Sequence, residues 1–287
     1  MSQSHTQSVS QHKIAFLGPR GTFSEEIALG FYRGVEGRFI PYASIDAAIR
    51  AVAEGEASEC VVPVENSLDG SVNITLDTLA HEVDLYIVRE IIRPVSHNLL
   101  TREDTKHVNV ILSHPQAFAQ CRRYLRQHHP GAELIAVDST AAAAYQVASG
   151  AKNHAAIGSA RAAQLYGLKI AAADIEDSPH NSTRFIVLGR RPIAGGGTAC
   201  KTSIVCQING EKPGSLCDIL TEFASRQVNL TKIESRPART GLGFYIFFLD
   251  AEGGIEEENV RAAVEAVQNK SLWFKNLGSY PVCAAQP

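Results

Sequence analysis

The chain has 287 residues, 45% of them hydrophobic and 20% charged, with a formal net charge of -3. That length suffices for two domains with cores of their own, and the slightly acidic balance excludes the basic footprint of a nucleic-acid-binding protein. No apolar run approaches a membrane span, so the chain reads as a globular protein without a membrane partner. The Ser/Gln/His-rich opening lacks the apolar centre of a signal peptide, so residues 1–12 read as a disordered tail and the protein as cytoplasmic. The cysteines at 60, 121, 200, 206, 217 and 283 form no C-x-x-C pair, and neither they nor the dispersed histidines show metal-ligand spacing. They read as reduced thiols, with no metal site.

In chain order, an apolar run at 14–17 ends at Gly18-Pro19-Arg20-Gly21, and Ser24-Glu25-Glu26 opens a helical pattern through Tyr32. A second run at 60–64 leads through Glu65-Asn66-Ser67-Leu68-Asp69-Gly70-Ser71 to a helix at 74–80. A third at 110–112 precedes Ser113-His114-Pro115-Gln116, where Pro115 takes the favoured first helical position and the helix continues to 127. Strands at 134–137 and 155–158 precede Asp138-Ser139-Thr140 and Ser159, each followed by a helix, at 141–148 and 160–166. Strands alternating with helices in this way predict an α/β domain with largely parallel pairing.

Short polar side chains gather at these junctions: Thr22, Ser24, Asn66, Ser67, Ser113, Ser139, Thr140 and Ser159. Any one of them is accounted for as a helix cap worth about 1 kcal/mol. Together they predict an anion site, because helix N-termini in parallel sheets collect at the carboxyl edge of the strands. The segment Asn181-Ser182-Thr183-Arg184-Phe185 adds an amide, hydroxyls, a guanidinium and a ring just before the apolar strand 186–188. A guanidinium fork beside hydroxyl donors suits a small carboxylate substrate. Dinucleotide binding is unsupported, since no G-x-G-x-x-G follows a strand, and Gly195-Gly196-Gly197-Thr198-Ala199-Cys200-Lys201-Thr202 fails as a P-loop because a strand follows it.

Residues 192–200 read as a glycine-rich linker. Beyond it the pattern gives strand 202–208, helix 216–226, strands 230–234 and 244–249, helix 256–268 and strand 272–280, the βαββαβ order of a ferredoxin-like sandwich.

With these motifs in place, the chain resembles the prephenate dehydratase family, a catalytic domain (13–191) followed by an ACT regulatory domain (201–281) and a short tail (282–287). Gly18-Pro19-Arg20-Gly21-Thr22-Phe23-Ser24, Pro63-Val64-Glu65-Asn66-Ser67, His114-Pro115-Gln116 and Thr183-Arg184-Phe185 carry the first part, and Asn229-Leu230-Thr231-Lys232-Ile233-Glu234-Ser235-Arg236-Pro237 the second. The resemblance implies a periplasmic-binding-protein-like catalytic domain of two α/β lobes, with a cofactor-free site in the cleft between them. It further implies decarboxylating dehydration of prephenate to phenylpyruvate on the route to phenylalanine, and phenylalanine as allosteric effector. By the same resemblance Thr183 donates toward the leaving oxygen, with Arg184 and Phe185 shaping its surroundings. The resemblance implies that Thr22, Phe23, Asn66, Ser67, Gln116, Ser139, Thr140 and Asn181 hold the substrate. The resemblance also implies that Gly214, Ser215, Leu216, Asn229, Leu230, Glu234, Ser235, Arg236 and Pro237 bind the effector between paired ACT domains, in a homodimer or homotetramer. Arg20 stands where many relatives carry glutamate, and Glu65 and His114 are left without a role. No helix bundle fits ahead of Lys13, so the chain reads as monofunctional. Arogenate dehydratase and a non-catalytic amino-acid sensor are the alternatives that the residues leave open.

Overall fold

The computed structural model describes residues 12–150, 152–193, 200–210 and 212–283. Residues 1–11 of the tail expected at 1–12, residues 194–199 of the linker expected at 192–200, and residues 284–287 lie outside the described residues, whereas His12 already belongs to β1 and Cys200 to β12. The chain opens with β1 (His12–Leu17), α1 (Phe23–Phe31), β2 (Gly37–Tyr42), α2 (Ile45–Ala53), β3 (Glu59–Asn66), β4 (Gly70–Ser71), α3 (Asn73–His81) and β5 (Tyr86–Pro94), which form a first lobe. A second lobe follows as β6 (Asn98–Thr101), β7 (Val110–Ser113), α4 (Pro115–Gln120), α5 (Arg122–His128), β8 (Glu133–Ala136), α6 (Thr140–Ser149), β9 (His154–Gly158), α7 (Ala160–Tyr166) and β10 (Lys169–Ala172). The chain then returns to the first lobe as β11 (Ser182–Gly189). The C-terminal domain comprises β12 (Cys200–Gln207), α8 (Ser215–Ala224), β13 (Leu230–Pro237), β14 (Tyr245–Glu252), α9 (Glu258–Lys270) and β15 (Trp273–Cys283), in the predicted βαββαβ order.

The pairing is mixed rather than largely parallel. In the first lobe β1 lies parallel to β2 and β3, but the returning β11 sits antiparallel between β3 and β5. In the second lobe β7 is parallel to β8 and β9, while β6 runs antiparallel to β9 and β10. The antiparallel strands are those that cross between lobes or flank the crossings, and the sequence reading had assigned no strand to β5, β6 or β10. The helix expected from 115 to 127 is broken at Cys121 into α4 and α5.

β11 is central, and its side chains serve two cores. Phe185 and Val187 pack with Ile14, Ile27, Ala28 and Val61 on the α1 side. Ile186 and Leu188 pack with Ala48, Ile49, Leu76 and Leu79 on the α2/α3 side, in a core that continues into the C-terminal domain through Val205, Ile246, Phe248, Leu277 and Tyr280. Burial on both faces explains why this strand reads as an unbroken apolar run. The other face of the C-terminal sheet is covered by α8 and α9, whose Ile219, Phe223, Val260, Ala263, Val264 and Val267 recur at helical spacing. The last residues of β15 pair with β5 (Val282 with Glu90, Cys283 with Ile91), joining both domains into one ten-stranded sheet. Val282 and Cys283 therefore belong to the sheet and not to the expected tail; they occupy the ladder groups that β5 would otherwise leave open. No described helix is long and apolar enough to cross a membrane.

Ionic contacts hold the interface between the domains. Glu90 on β5, with no exposed surface, accepts from Arg184 Nε and from Lys201 Nζ at 2.9 Å. Arg184 also donates to Asp250 of β14 at 2.6 Å and to the Tyr280 hydroxyl of β15 at 3.1 Å. Burial works against the guanidinium charge, but Asp250, Tyr280 and Glu90 outweigh it and hold Arg184 above its ordinary range. Glu65 meets Lys232 of β13 at 3.1 Å, and Arg236 forks onto Asp77 at 2.9 Å. Removing one partner of such a cluster strands the others in a dry interface. Glu90→Gln is therefore expected to cost about 3–5 kcal/mol in urea unfolding, with the loss seen by probes in both domains; an unfolding curve unchanged from wild type would contradict that.

Candidate active site

The cleft between the lobes encloses about 330 Å³, bounded by Leu17, Phe23, Ile45, Val72, Val95 and Phe185 and by a polar set drawn from both lobes. The first lobe supplies the N-terminus of α1, Asn66 and Thr183; the second supplies His114, Gln116 and Gln120 from α4 and Asp138, Ser139 and Thr140 from the start of α6. No lysine or arginine is among the described residues that line it.

A bulge in β3 decides which residues face the cleft. Thr183 pairs with Asn66 and Arg184 with Glu65, but Phe185 pairs with Pro63, so Val64 is the extra residue. The strand loses its alternation there: Val64 and Glu65 both turn toward the C-terminal domain, and Asn66 comes out beside Thr183 in the cleft. Pro63, which has no N–H to offer a ladder, sits where that ladder is interrupted.

The hydrogen bonds around Asn66 have a definite polarity. Its Oδ1 accepts from the backbone N–H groups of Leu68 (2.9 Å) and Asp69 (3.1 Å), which can only donate. Its Nδ2 therefore donates, to Thr183 Oγ1 and to Asn181 Oδ1, both at 2.9 Å. Asn181 in turn donates through Nδ2 to Gln120 Oε1 at 2.9 Å, and the same oxygen accepts from His97 Nε2 at 2.8 Å. His97 thus carries its proton on Nε2, and burial lowers its pKa, so the ring is neutral with a bare, buried Nδ1. At the opposite end, Thr183 Oγ1 accepts from Asn66 on one of its two lone pairs, and no described residue accepts its proton. That proton is available to whatever occupies the cleft.

Several of the expected substrate contacts are found in this cleft: Thr22, Phe23, Asn66, Gln116, Ser139, Thr140, Thr183 and Phe185 all line it. Thr22 contributes by capping α1, for its hydroxyl donates to Leu17 O at 2.8 Å and accepts from Glu25 N at 3.3 Å. Ser139 caps α6 at 3.0 Å, and His114 caps α4 through Nδ1, which leaves the His114 proton on Nε2. Other expected contacts are placed elsewhere. Arg184 projects from the opposite face of β11 into the interdomain cluster and does not fork onto a substrate carboxylate. Ser67 bonds to His180 O and Ser182 N, tying the turn after β3 to the start of β11, and Asn181 stands behind Asn66. Ser113 and Ser159 donate to the Ile157 and Gly21 carbonyls, outside the cleft. Glu65 also lies on the interdomain face.

Gln120, His97 and Asp138 were missed in the sequence. Gln120 was within reach, being one helical turn beyond Gln116 on the same face. His97 lies between two strands that the sequence pattern did not show, so no signal marked it.

The expected effector residues do not converge within one chain. Gly214, in the left-handed region at φ 85°, starts α8 beside a cavity of about 360 Å³ lined by Ile208, Asn209, Lys212, Ser215, Asp218, Ile219 and Lys270. Leu216 follows in the first turn of α8. Asn229 and Leu230 lie at the other end of the sheet, where Leu230, Ala251 and Thr202 form a row, whereas Arg236, Ile246 and Gln207 form the row nearer Gly214. On β13 the side chains of Glu234 and Arg236 turn to the first lobe, bonding Ser71 and Asp77, and Ser235 and Pro237 are exposed.

A family model described as prephenate dehydratase matches residues 14–193, and one described as an ACT domain matches residues 202–269. The bifunctional chorismate mutase/prephenate dehydratase of Stutzerimonas stutzeri is 42% identical over 271 residues, spanning 94% of this chain and 73% of that protein. A prephenate dehydratase of Mycolicibacterium vanbaalenii is 41% identical over 286 residues, spanning 93% of this chain and 90% of its own. Among solved structures, the Arthrobacter aurescens prephenate dehydratase in complex with L-Phe is 37% identical with a TM-score of 0.87, covering 94% of this chain and 90% of that one. GqqA, described as a novel type of quorum quenching acylase, is 31% identical with a TM-score of 0.85, covering 95% of this chain and 98% of that one. The chain belongs to the prephenate dehydratase family, with an ACT domain packed behind its catalytic lobes.

Proposed function

We propose that this chain converts prephenate to phenylpyruvate, carbon dioxide and water in the cleft, with Thr183 as the donor to the departing oxygen. The observation that carries the assignment is the Thr183 hydroxyl, which accepts from Asn66 and whose proton is taken by no described residue. In the reaction the bond from the ring to the carboxylate breaks, its electron pair completes the aromatic ring, and the ring hydroxyl leaves with the electrons of its own bond. The hydroxide gains a proton from solvent to become water, so no electrons enter or leave. Thr183 is too weak an acid to give up its proton outright. It acts as a preorganised hydrogen-bond donor whose contact strengthens as charge builds on the leaving oxygen. An acyl-transfer reading has less support, because the neighbour of Thr183 is an amide that cannot take up its proton as a base would.

The substrate's carboxylates are met without lysine or arginine. The N-terminal N–H groups of α1 and α6 face the cleft from opposite lobes, joined by Gln116 and the Nε2 proton of His114. The apolar wall of Phe23, Phe185, Val72 and Val95 suits the ring.

Regulation by phenylalanine is assigned to the ACT domain, in a homodimer or homotetramer of cytoplasmic chains, consistent with the scattered cysteines. The separation of Gly214 from Asn229 and Leu230 within one sheet supports a site completed by a second copy. Exposed apolar side chains at one end of the same domain, Leu242, Phe244, Tyr245, Leu272 and Trp273, support such an interface. β13 offers the coupling route, since Lys232, Glu234 and Arg236 grip Glu65, Ser71 and Asp77 around the turn that holds Asn66. We assign 13–191 to the catalytic domain and 201–281 to the ACT domain, with β1 opening one residue earlier at His12, β12 one residue earlier at Cys200, and β15 continuing to Cys283.

Phenylpyruvate formation from prephenate is expected to fall at least about 100-fold in kcat for Thr183→Ala and to be largely retained in Thr183→Ser. Arogenate, assayed beside prephenate, should be the poorer substrate by kcat/KM. Wild-type protein inert on prephenate would end the assignment. In sedimentation velocity the chain should run as a dimer or larger with phenylalanine present, and phenylalanine should raise its melting temperature; a monomer with an unchanged melting temperature would remove the regulatory reading.

A further inference from the structure

We propose that Asp69, a surface residue outside the cleft, is a positioning residue that holds from the Gln120 end the hydrogen-bond polarity that the backbone bonds on Asn66 hold from the other, in the relay ending at Thr183. The inference rests on the role proposed for Thr183 and adds a residue to the machinery behind it. Asp69 is exposed, on the turn between β3 and β4 of the first lobe. Its carboxylate accepts from two amides of the second lobe, Gln120 Nε2 at 2.7 Å and Gln116 Nε2. Both glutamines line the cleft.

An ionised carboxylate accepts hydrogen bonds and cannot donate them. By taking the Nε2 group of Gln120 it turns the Oε1 atom inward, and that oxygen is the acceptor that both Asn181 Nδ2 and His97 Nε2 require. With Gln120 reversed, an NH₂ group would face the Asn181 NH₂ group and the His97 N–H. Relief would require Asn181 to turn over and His97 to move its proton to Nδ1. A reversed Asn181 would present its NH₂ group to Asn66 Nδ2, which is held as a donor by the backbone bonds on its own Oδ1. The conflict would end at the hydrogen bond that Asn66 donates to Thr183 Oγ1. Asp69 acts on that contact from both sides, since its backbone N–H is one of the two that anchor Asn66 Oδ1. Solvent weakens each bond to the carboxylate, but an orientation needs only the preference of one amide rotamer over the other.

The test is Asp69→Ala beside Asp69→Asn in the full chain, read by steady-state kinetics on prephenate and by the imidazole ¹⁵N resonances of His97. Asp69→Ala should lower kcat and kcat/KM together by about tenfold with KM within about threefold, the pattern of an interaction lost in the transition state. The His97 proton should move at least partly from Nε2 to Nδ1. Asp69→Asn keeps an oxygen able to accept from both glutamines and should recover most of the activity and the Nε2–H tautomer. Melting temperatures should stay near wild type, as the side chain is on the surface. Wild-type kcat in Asp69→Ala overturns the proposal, and so does a lower kcat with His97 still fully protonated on Nε2, which would mark Asp69 as a structural contact. The tautomer can be read without substrate, so a failure of the proposed reaction would not be mistaken for a failure of the relay.

Discussion

The bulge at Val64 is the constraint on which the rest of the molecule depends. β11 alternates regularly, sending Thr183 to the cleft and Arg184 to the interdomain face. A regular β3 beside it would alternate in step, and with Val62 and Val64 in the core shared with the C-terminal domain, Asn66 would follow them there. The extra residue shifts the phase, so Glu65 joins Arg184 on the ionic face and Asn66 joins Thr183 in the cleft. Two adjacent strands thus deliver an amide and a hydroxyl to one side and a carboxylate and a guanidinium to the other. The cleft pair and the interdomain pair are consecutive residues on the same backbones.

This phase shift also separates what the sequence made legible from what it did not. The strand–helix junctions were readable because capping chemistry is local: Thr22, Ser139 and Ser159 each bond the backbone three residues ahead, as their positions suggested. The C-terminal domain was readable because its helices carry apolar residues at helical spacing and its strands are bounded by turns. Arg184 was misassigned because residue type announces a carboxylate partner without saying whose, and the partners here are Glu90 and Asp250, distant in sequence. The antiparallel crossings went unseen because strands such as β6 are short, and their pairing is decided by the topology of the whole lobe rather than by any local pattern.

The distribution of charge follows from the same arrangement. The cations that might have met a dianionic substrate, Arg184, Lys201 and Lys232, are held by Glu90, Asp250 and Glu65 on the far face of the sheet. The cleft is left with neutral donors: amides, hydroxyls, the Nε2 proton of His114 and helix N-termini. For a reaction that expels one carboxylate as neutral carbon dioxide, this division has a chemical rationale. A guanidinium on that carboxylate would stabilise the ground-state charge that must disappear, whereas dipoles on the other carboxylate and a hydroxyl at the leaving oxygen leave it free to go. On the mechanism proposed for the cleft, interactions that grow toward the transition state are concentrated at Thr183. The strong ionic contacts, which do not change during the reaction, join the catalytic lobes to the domain that regulates them.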